Sequence, residues 1–115
     1  MSFENVKVIV TGGARGIGKA CVKAFANKGA TVIILDIDQT GKKLLGDIDG
    51  NTYFLQCDVS KENDVRTAFR KIEKKISTVE ILVNNAGIQR YSTVTETSEE
   101  EWDLVMNVNL KSAFL

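Results

Sequence analysis

The stretch VTGGARGIGKA, from Val10 to Ala20, contains four glycines and two cations within eleven residues. Glycines at this density are typical of a backbone segment that passes close to a ligand or to another part of the chain. Gly13, Gly18 and Lys19 fit the GxxxxGK pattern of a nucleoside-triphosphatase phosphate loop. Ala20, however, stands where that loop needs a Ser or Thr hydroxyl to bind Mg²⁺. The other interpretation is the turn of a dinucleotide-binding βαβ unit.

Predicted strands and helices alternate along the chain. The run VKVIV at 6–10, directly before the glycines, is β-branched and typical of a buried strand. Further strands are predicted at 31–35, 51–57 and 79–83, and a weak helix is predicted at 38–47. Continuous apolar strands are typical of a parallel sheet that is covered on both faces. The sequence therefore predicts a doubly wound α/β fold, in which right-handed crossovers give the strand order 3-2-1-4.

Three longer helices are predicted from apolar residues at helical spacing. The first ends at Gly29, the second begins at an N-cap Ser60, and the third begins at a capping box of Ser98 and Glu101. Their predicted apolar faces comprise Ile17, Ala20, Cys21, Ala24 and Phe25; Val65, Ala68, Phe69, Ile72 and Ile76; and Trp102, Val105, Met106, Asn109, Ala113 and Phe114. These helices follow the first, third and fourth strands, as an α/β fold requires.

The composition argues against several classes of function. The chain has 115 residues, of which 15 are Lys or Arg and 15 are Asp or Glu, so no basic field points to nucleic acid. The sequence has no histidine, and we predict no metal site. Cys21 and Cys57 lie far apart, which predicts buried, reduced thiols in a cytoplasmic protein. The apolar runs are too short to cross a bilayer, so we predict no membrane partner.

The glycine spacing favours a dinucleotide site. Gly12, Gly16 and Gly18 lie between the first predicted strand and the first predicted helix, where they permit a tight turn and close approach of a pyrophosphate to the helix N-terminus. Asp36 follows Gly18 by eighteen residues, where a carboxylate can bind the adenosine ribose. The alternative is that the glycines only form a turn and that Asp36 only ends a strand.

Four segments resemble motifs of the short-chain dehydrogenase/reductase family, and they occur in the family's order. TGGARGIG at 11–18 fits the family's TGxxxGxG turn, and CDV at 57–59 resembles the segment that contacts adenine. NNAG at 84–87 follows the fourth predicted strand, and MNVNLKSAF at 106–114 resembles the helix that carries the family's characteristic Asn. The resemblance extends over the whole chain and implies a Rossmann-like domain that binds NAD(P).

The resemblance also implies roles for individual residues. Asp36 would favour NAD, whereas a basic residue such as Arg15 often accompanies NADP in the family; we predict NAD. Asn84 would tie the sheet together, and Asn109 would be the catalytic Asn, holding a water in the proton relay, unless it binds only local backbone. The implied cofactor-binding residues are Gly12, Gly16, Ile17 and Gly18 at the pyrophosphate, Asp36 at the adenosine ribose, Asp58 and Val59 at the adenine, Asn85, Ala86 and Gly87 under the nicotinamide ribose, and in addition Arg15 and Ile37.

The activity that the resemblance implies is hydride transfer between a nicotinamide and an alcohol or carbonyl substrate, with a Ser and a YxxxK motif. Tyr53 and Tyr91 are followed four residues later by Cys57 and Thr95, so neither begins such a motif. We therefore expect residues 1–115 to be one dinucleotide-binding domain, truncated after the fourth strand and part of the next helix. We expect the missing catalytic residues beyond Leu115 and no activity from this chain by itself.

Partners follow from the same resemblance. The family implies a homo-oligomer, a dimer or a tetramer, and a small alcohol or carbonyl substrate. Gln89 and Arg90 are candidates for one wall of the substrate pocket. The alternative to an enzyme is a non-catalytic NAD-binding module or an inactive remnant of the family that retains the nucleotide site.

Overall fold

The computed structural model describes residues 2–48 and 51–114. Its four strands pair in parallel in the order β3-β2-β1-β4, which confirms the predicted order. The strands are β1 at Lys7–Thr11, β2 at Thr31–Asp36, β3 at Thr52–Gln56 and β4 at Ile81–Val83. Because β2 and β4 lie on opposite sides of β1, the winding reverses beside β1. In such sheets a crevice opens at the carboxyl ends of the strands where the reversal occurs.

The helices occur in the predicted order, with two unexpected features. They are α1 at Gly16–Asn27, α2 at Leu44–Asp47, α3 at Glu62–Lys75, α4 at Glu99–Met106 and α5 at Ser112–Phe114. The weak helix predicted at 38–47 is a 3₁₀ turn at Gln39–Lys43 that continues into α2. A π-helical turn at Asn107–Lys111 connects α4 to α5. The helical periodicity of the sequence did not predict this turn.

Two hydrophobic cores cover the two faces of the sheet. Neighbouring residues of β1 and β2 alternate between the cores, because successive side chains in a strand point to opposite faces. The core beside α1 and α2 contains Val8, Val10, Val22, Ala26, Ala30, Val32, Ile34, Leu44 and Ile48. The core beside α3 contains Ile9, Ile33, Leu35, Cys57, Val59, Val65, Ala68 and Ile72. Burial on both faces explains why these strands are continuously apolar.

The predicted apolar face of α1 is partly wrong. The residues of α1 that are buried are Gly18, Val22 and Ala26, whereas Ala20 and Ala24 are exposed. Ile17 is 77% exposed and lines a cleft instead of the core. The helix is rotated in this way because Gly18, which has no side chain, packs against the end of β1. A larger residue at this position would hold the helix away from β1.

The predicted start of α3 is also wrong. The helix begins at Glu62 after an N-cap Lys61, and Ser60 does not cap it. The Ser60 hydroxyl donates to Asp58 Oδ1 at 2.6 Å, so the side chain closes the preceding turn. Carboxylates in the first turn of α3, including Asp64, interact favourably with the positive end of the helix dipole. At the start of α4, Ser98 Oγ accepts the Glu101 amide at 3.1 Å, as the predicted cap requires.

A pH prediction follows from Cys57, which is 2% exposed. Burial, followed by the negative charges of Asp64 and Asp58, raises the pKa of Cys57 from 9.0 to about 11. Between these values the unfolded chain loses the thiol proton while the folded chain keeps it, so the free energy of unfolding falls as pH rises. We expect this fall to be smaller in Cys57→Ala, measured by urea denaturation from about pH 8 to about pH 11. Cys21→Ala is the control, and equal pH profiles for wild type and Cys57→Ala would refute the prediction.

Candidate functional site

A cleft of about 450 Å³ opens at the carboxyl ends of β1, β2 and β4. This volume lies within the usual range for small-molecule sites. The predicted site residues that line it are Gly12, Arg15, Ile17, Asp36, Ile37, Asp58, Val59, Asn85, Ala86 and Gly87. Gly16, Gly18, Asn109 and Gln89 are not among the lining residues, whereas Arg90 is. Residues from four loops, the first at Gly12 and the last at Arg90, therefore meet around one cavity.

The glycine-rich turn brings the N-terminus of α1 against the end of β1. Gly12 and Gly16 have φ of +66° and +60°, in the left-handed region that favours glycine. A Cβ on Gly18 would overlap the Gly12 carbonyl oxygen and approach Asn85 Nδ2, so only glycine fits there without rearrangement. Around Gly16, by contrast, no atom lies within 4 Å of where a Cβ would be. The turn is thus closed on its inner side and open at Gly16.

The NNAG loop is fastened to the glycine-rich turn by Thr11 and Asn85. Asn85 Nδ2 donates to the carbonyl oxygens of Thr11 and Gly12, both at 3.1 Å. Thr11 Oγ1 accepts the amides of Asn85 and Ala86, both at 3.0 Å. Asn84 was predicted to make this connection. That prediction is wrong, because Asn84 is exposed and the chain turns after β4 so that Asn85 faces β1. Thr11 was not predicted as a site residue. The available signal in the sequence was a hydroxyl residue between the apolar strand and the first glycine.

Asp36 connects two loops at the other end of the cleft. Its Oδ2 accepts the amide of Ala14 in the glycine-rich turn at 3.0 Å, and its Oδ1 accepts the amide of Asp38 at 3.0 Å. A carboxylate oxygen can accept more than one hydrogen bond, so Asp36 retains acceptor capacity toward the cleft. Asp36 therefore connects the two loops and still has oxygen lone pairs that can accept hydrogen bonds from a ligand.

The side wall next to Asp36 combines apolar surface with a closed turn. Ile37 is exposed in the cleft, and its carbonyl oxygen accepts Gln56 Nε2 at 3.0 Å. Val59 is buried, and Asp58 Oδ1 accepts the Ser60 amide at 3.0 Å. Exposed isoleucine on a cleft wall is a surface that a flat ligand would remove from water.

Asn109 holds the loop after Gly87 to the last helix. Its Oδ1 accepts the Ile88 amide at 2.7 Å and its Nδ2 donates to the Ile88 carbonyl at 2.8 Å. Asn109 lies in the π-helical turn, a distortion that is frequent at functional sites. The predicted apolar face around Asn109 is not buried: Trp102 is 60% exposed and Phe114 is 85% exposed. The side-chain amide is satisfied by backbone on a neighbouring loop rather than inside a core.

Two features are absent from the part of the chain that the structure describes. Within residues 2–48 and 51–114, no three or more His, Cys, Asp or Glu side chains are grouped so as to hold a metal ion. Among the helices described, none has the length and apolar character needed to cross a membrane.

Comparison with known proteins identifies the family. The family model described as short chain dehydrogenase matches residues 6–115. The chain belongs to the short-chain dehydrogenase family. A short-chain dehydrogenase from Novosphingobium aromaticivorans has a similar structure, with a TM-score of 0.90 and 31% identity over 98% of this chain and 43% of that one. Membership of this family favours the dinucleotide interpretation of the glycine-rich turn over the nucleoside-triphosphatase interpretation.

Members of the family with similar sequences are oxidoreductases. An NAD-dependent glycerol dehydrogenase of Listeria innocua is 38% identical over 93% of this chain and 42% of its own length. A 3-oxoacyl-[acyl-carrier-protein] reductase of Thermotoga maritima is 38% identical over 99% of this chain and 48% of its own length. A cyclopentanol dehydrogenase of Comamonas is 38% identical over 94% of this chain and 45% of its own length. The chain thus spans less than half the length of each of these relatives.

The close approach at Gly18 predicts a sharp difference between two glycines. Gly18→Ala should lower the free energy of unfolding by about 3 kcal/mol, because its methyl group overlaps backbone. Gly46→Ala is the matched control, since within the described residues the new methyl group would meet no atom within 4 Å apart from its chain neighbours and its own helix backbone. This variant should be neutral or raise stability by about 0.5 kcal/mol. Urea denaturation measures both, and equal stabilities of the two variants would show that Gly18 is not a contact point.

The paired hydrogen bonds of Asn109 predict a local effect on Ile88. Asn109→Asp retains an acceptor for the Ile88 amide but places a carboxylate against the Ile88 carbonyl. We expect hydrogen exchange at the Ile88 amide to become at least about fivefold faster, since one hydrogen bond is lost and a repulsion replaces it. Asn107→Asp, in the same π-helical turn, is the control. Unchanged exchange at Ile88 in Asn109→Asp would contradict the assigned contact.

Proposed function

We propose that the cleft binds a nicotinamide dinucleotide, NAD in preference to NADP, and that the protein is an oxidoreductase that acts on an alcohol or carbonyl substrate. The observation that carries this proposal is that the glycine-rich turn, Asp36 and the NNAG loop line one cleft at the reversal point of the sheet. When bound, the nicotinamide would supply or accept the hydride.

The glycine-rich turn fits a diphosphate. The N-cap residue of α1 is Arg15, whose side chain has no acceptor, and no side-chain cap satisfies the first amides of α1 within the described residues. Such uncapped amides and the positive end of the helix dipole attract phosphate oxygens. The space around Gly16 is open on the side where a Cβ would point, so a ligand can approach the backbone there. We therefore assign Gly12, Gly16 and Ile17 to the pyrophosphate, and Gly18 to the packing that orients them.

The end of the cleft beside Asp36 fits an adenosine. The Asp36 carboxylate has remaining acceptor capacity for the two hydroxyls of a ribose. Ile37, Asp58 and Val59 are assigned to the adenine, which is flat and largely apolar on its faces. A phosphate on the ribose 2′ oxygen would bring its negative charge against the Asp36 carboxylate, and this repulsion favours NAD. The mobile, exposed Arg15 would recover only part of that repulsion.

The NNAG loop fits the nicotinamide end. Ala86 and Gly87 are small, which leaves room for a ribose and a ring above the strand ends. The loop is held on one side by Thr11 and on the other by Asn109. Both polar atoms of the Asn109 side chain are used by Ile88, so we assign Asn109 to positioning this loop and its helix beside the reaction site. Arg90 lines the same end of the cleft, where it would contact substrate.

Neither tyrosine of residues 1–115 is placed for proton transfer in the cleft. The substrate oxygen needs an acid–base group with a pKa near the working pH. Tyr53 and Tyr91 do not line the cleft, and neither begins a YxxxK motif. We therefore assign proton transfer to a Ser, a Tyr and a Lys outside residues 1–115. We also propose a cytoplasmic homo-oligomer, in which a second copy covers exposed apolar residues of α4 such as Trp102.

Calorimetric titration with NAD, NADP and Mg-ATP tests the proposal. We expect NAD to bind about tenfold or more tightly than NADP, since charge repulsion at Asp36 opposes the additional phosphate. Asp36→Asn should narrow the difference, because it removes the charge and keeps the side-chain size. Asp103→Asn, an exposed carboxylate on α4, is the control for net charge. Binding of Mg-ATP alone, or of no nucleotide, would refute the proposed function.

A second measurement separates an enzyme from a non-catalytic NAD-binding module. If the reading frame continues past Leu115 into a Ser followed by YxxxK, the full polypeptide should reduce NAD in the presence of a suitable alcohol. NAD binding without those residues in the native polypeptide would favour the binding module.

A further inference from the structure

A second groove, of about 640 Å³, runs along the outer edge of β3. β3 is the last strand on its side of the sheet, so among the described residues no strand pairs with its outer edge. The groove shares Ile37 and Asp58 with the cleft, but its other lining residues lie outside the cleft. It is therefore a separate surface, to which the proposed cofactor site assigns no role.

The backbone of β3 presents hydrogen-bonding groups to this groove. The amide of Cys57, directly after β3, donates to the Asp36 carbonyl of β2 at 3.0 Å. In a parallel ladder only alternate residues bond to the same neighbouring strand, so the amides and carbonyls of Phe54 and Gln56 point away from β2. A strand edge with such groups is a template for an additional strand.

Two walls border the groove on opposite faces of the sheet. One wall is the 3₁₀ turn at Gln39–Lys43, where Gly41 lies against the ring of Phe54 and Gln39 Nε2 donates to Gln56 Oε1 at 2.8 Å. The other wall is α3, which contributes Asp64, Thr67, Ala68 and Lys71. An extended peptide that pairs with β3 would direct successive side chains alternately toward these two walls.

Each wall carries a lysine. Lys42 lies on the 3₁₀ turn and Lys71 lies on α3, and both are exposed. Among the described side chains, neither lysine has a carboxylate within 4.0 Å. An extended peptide with adjacent acidic residues would therefore bring one carboxylate to each lysine, because adjacent side chains face opposite walls.

The carboxylates of the groove lie at the end nearest the cleft. Asp58 Oδ1 accepts the Ser60 amide at 3.0 Å, and Asp64 Oδ2 accepts the Asp58 amide at 3.1 Å. Both acids are thus held in the turn that follows β3. Lys71 lies two turns beyond Asp64 on α3, about 10 Å along the helix axis. The end of the groove away from the cleft is consequently the positive end.

We propose that this groove binds an acidic segment of another protein, which adds to β3 as an extended strand. Main-chain hydrogen bonds to Phe54 and Gln56 would hold the segment, and its acidic side chains would pair with Lys42 and Lys71. A second copy of this chain fits less well, because pairing β3 with β3 would bring like charges together. The acidic run of this chain at Glu99–Glu101 is helical rather than extended. This inference does not depend on the proposed dinucleotide function.

Fluorescence anisotropy of a labelled, capped octapeptide that repeats Glu-Glu-Val-Val, titrated with the native polypeptide, tests the proposal. One control peptide has Gln in place of Glu and therefore no charge. The other has Pro in place of Val, which keeps the charge but removes amide donors and disfavours strand pairing. We expect each control to bind at least about fivefold less tightly than the acidic peptide. No binding of the acidic peptide, or equal binding of the Pro peptide, would overturn the proposal.

Lysine variants locate the charge interaction. Lys42→Gln and Lys71→Gln should each weaken binding of the acidic peptide about threefold, and together about tenfold. The control is Lys23→Gln combined with Lys28→Gln, because these exposed lysines belong to α1 and its C-cap, outside the groove. We expect this control pair to change the affinity by less than about twofold. An equal loss in the two double variants would show attraction by net charge alone and would overturn the assigned contacts.

Hydrogen exchange locates the backbone interaction. With the acidic peptide bound, the amides of Phe54 and Gln56 should exchange at least about fivefold more slowly, whereas those of Tyr53 and Leu55, which face β2, should change little. Slower exchange only in other segments would contradict strand addition at β3. Protection of Phe54 and Gln56 that rises with protein concentration, without peptide, would show that a second copy occupies this edge and would overturn the proposed partner.

Discussion

The contact between Gly18 and the Gly12 carbonyl is the constraint on which the site depends. It brings the N-terminus of α1 against the end of β1, and Asn85 Nδ2 binds the carbonyls of Thr11 and Gly12 at the same point. Three segments that are distant in sequence therefore share one small volume. A side chain at Gly18 would separate them.

The sheet explains why this junction forms where it does. Apolar residues alternate between two cores, so β1 and β2 are held from both faces and their carboxyl ends are fixed. The polar groups that emerge at these ends are satisfied by one another: Thr11 with the NNAG loop, Asp36 with two loop amides, and Asn109 with Ile88. The loops are thus ordered by hydrogen bonds, which are partly buried at Thr11 and Asp36 and exposed at Asn109, as is typical of sites placed on a rigid scaffold.

Structural features that have a strong local pattern in the sequence were predicted. Features that depend on contacts with neighbouring segments were not. Continuous apolar runs predicted the strands, and right-handed crossovers predicted their order. The glycine and Asp spacing pointed to Gly12 and Asp36, which line one cleft, whereas Gly16 and Gly18 do not line it. Periodicity placed Ile17 in the core, because it does not reveal that Gly18 is the residue in contact with β1. Ser60 was predicted to be the N-cap of α3 and Asn84 to connect the strand ends, but Lys61 and Asn85 occupy these positions. Each prediction is wrong by one residue, because local turn geometry decides which residue faces its partner. The π-helical turn and the hydrogen bonds of Asn109 to Ile88 depend on contacts between segments that are distant in sequence, which no local pattern records.

Backbone amide shifts in NMR spectra, recorded with and without NAD, test the central claim most directly. If the junction cradles a diphosphate beside a sugar-binding carboxylate, the largest changes should fall on the amides of Gly16 and Ile17, with further changes at Ala14 and Asp38, whose amides bind Asp36. The amides of α3 on the outer face should change little. Saturable changes that are confined to residues outside the cleft, with Gly16 and Ile17 unaffected, would contradict the account.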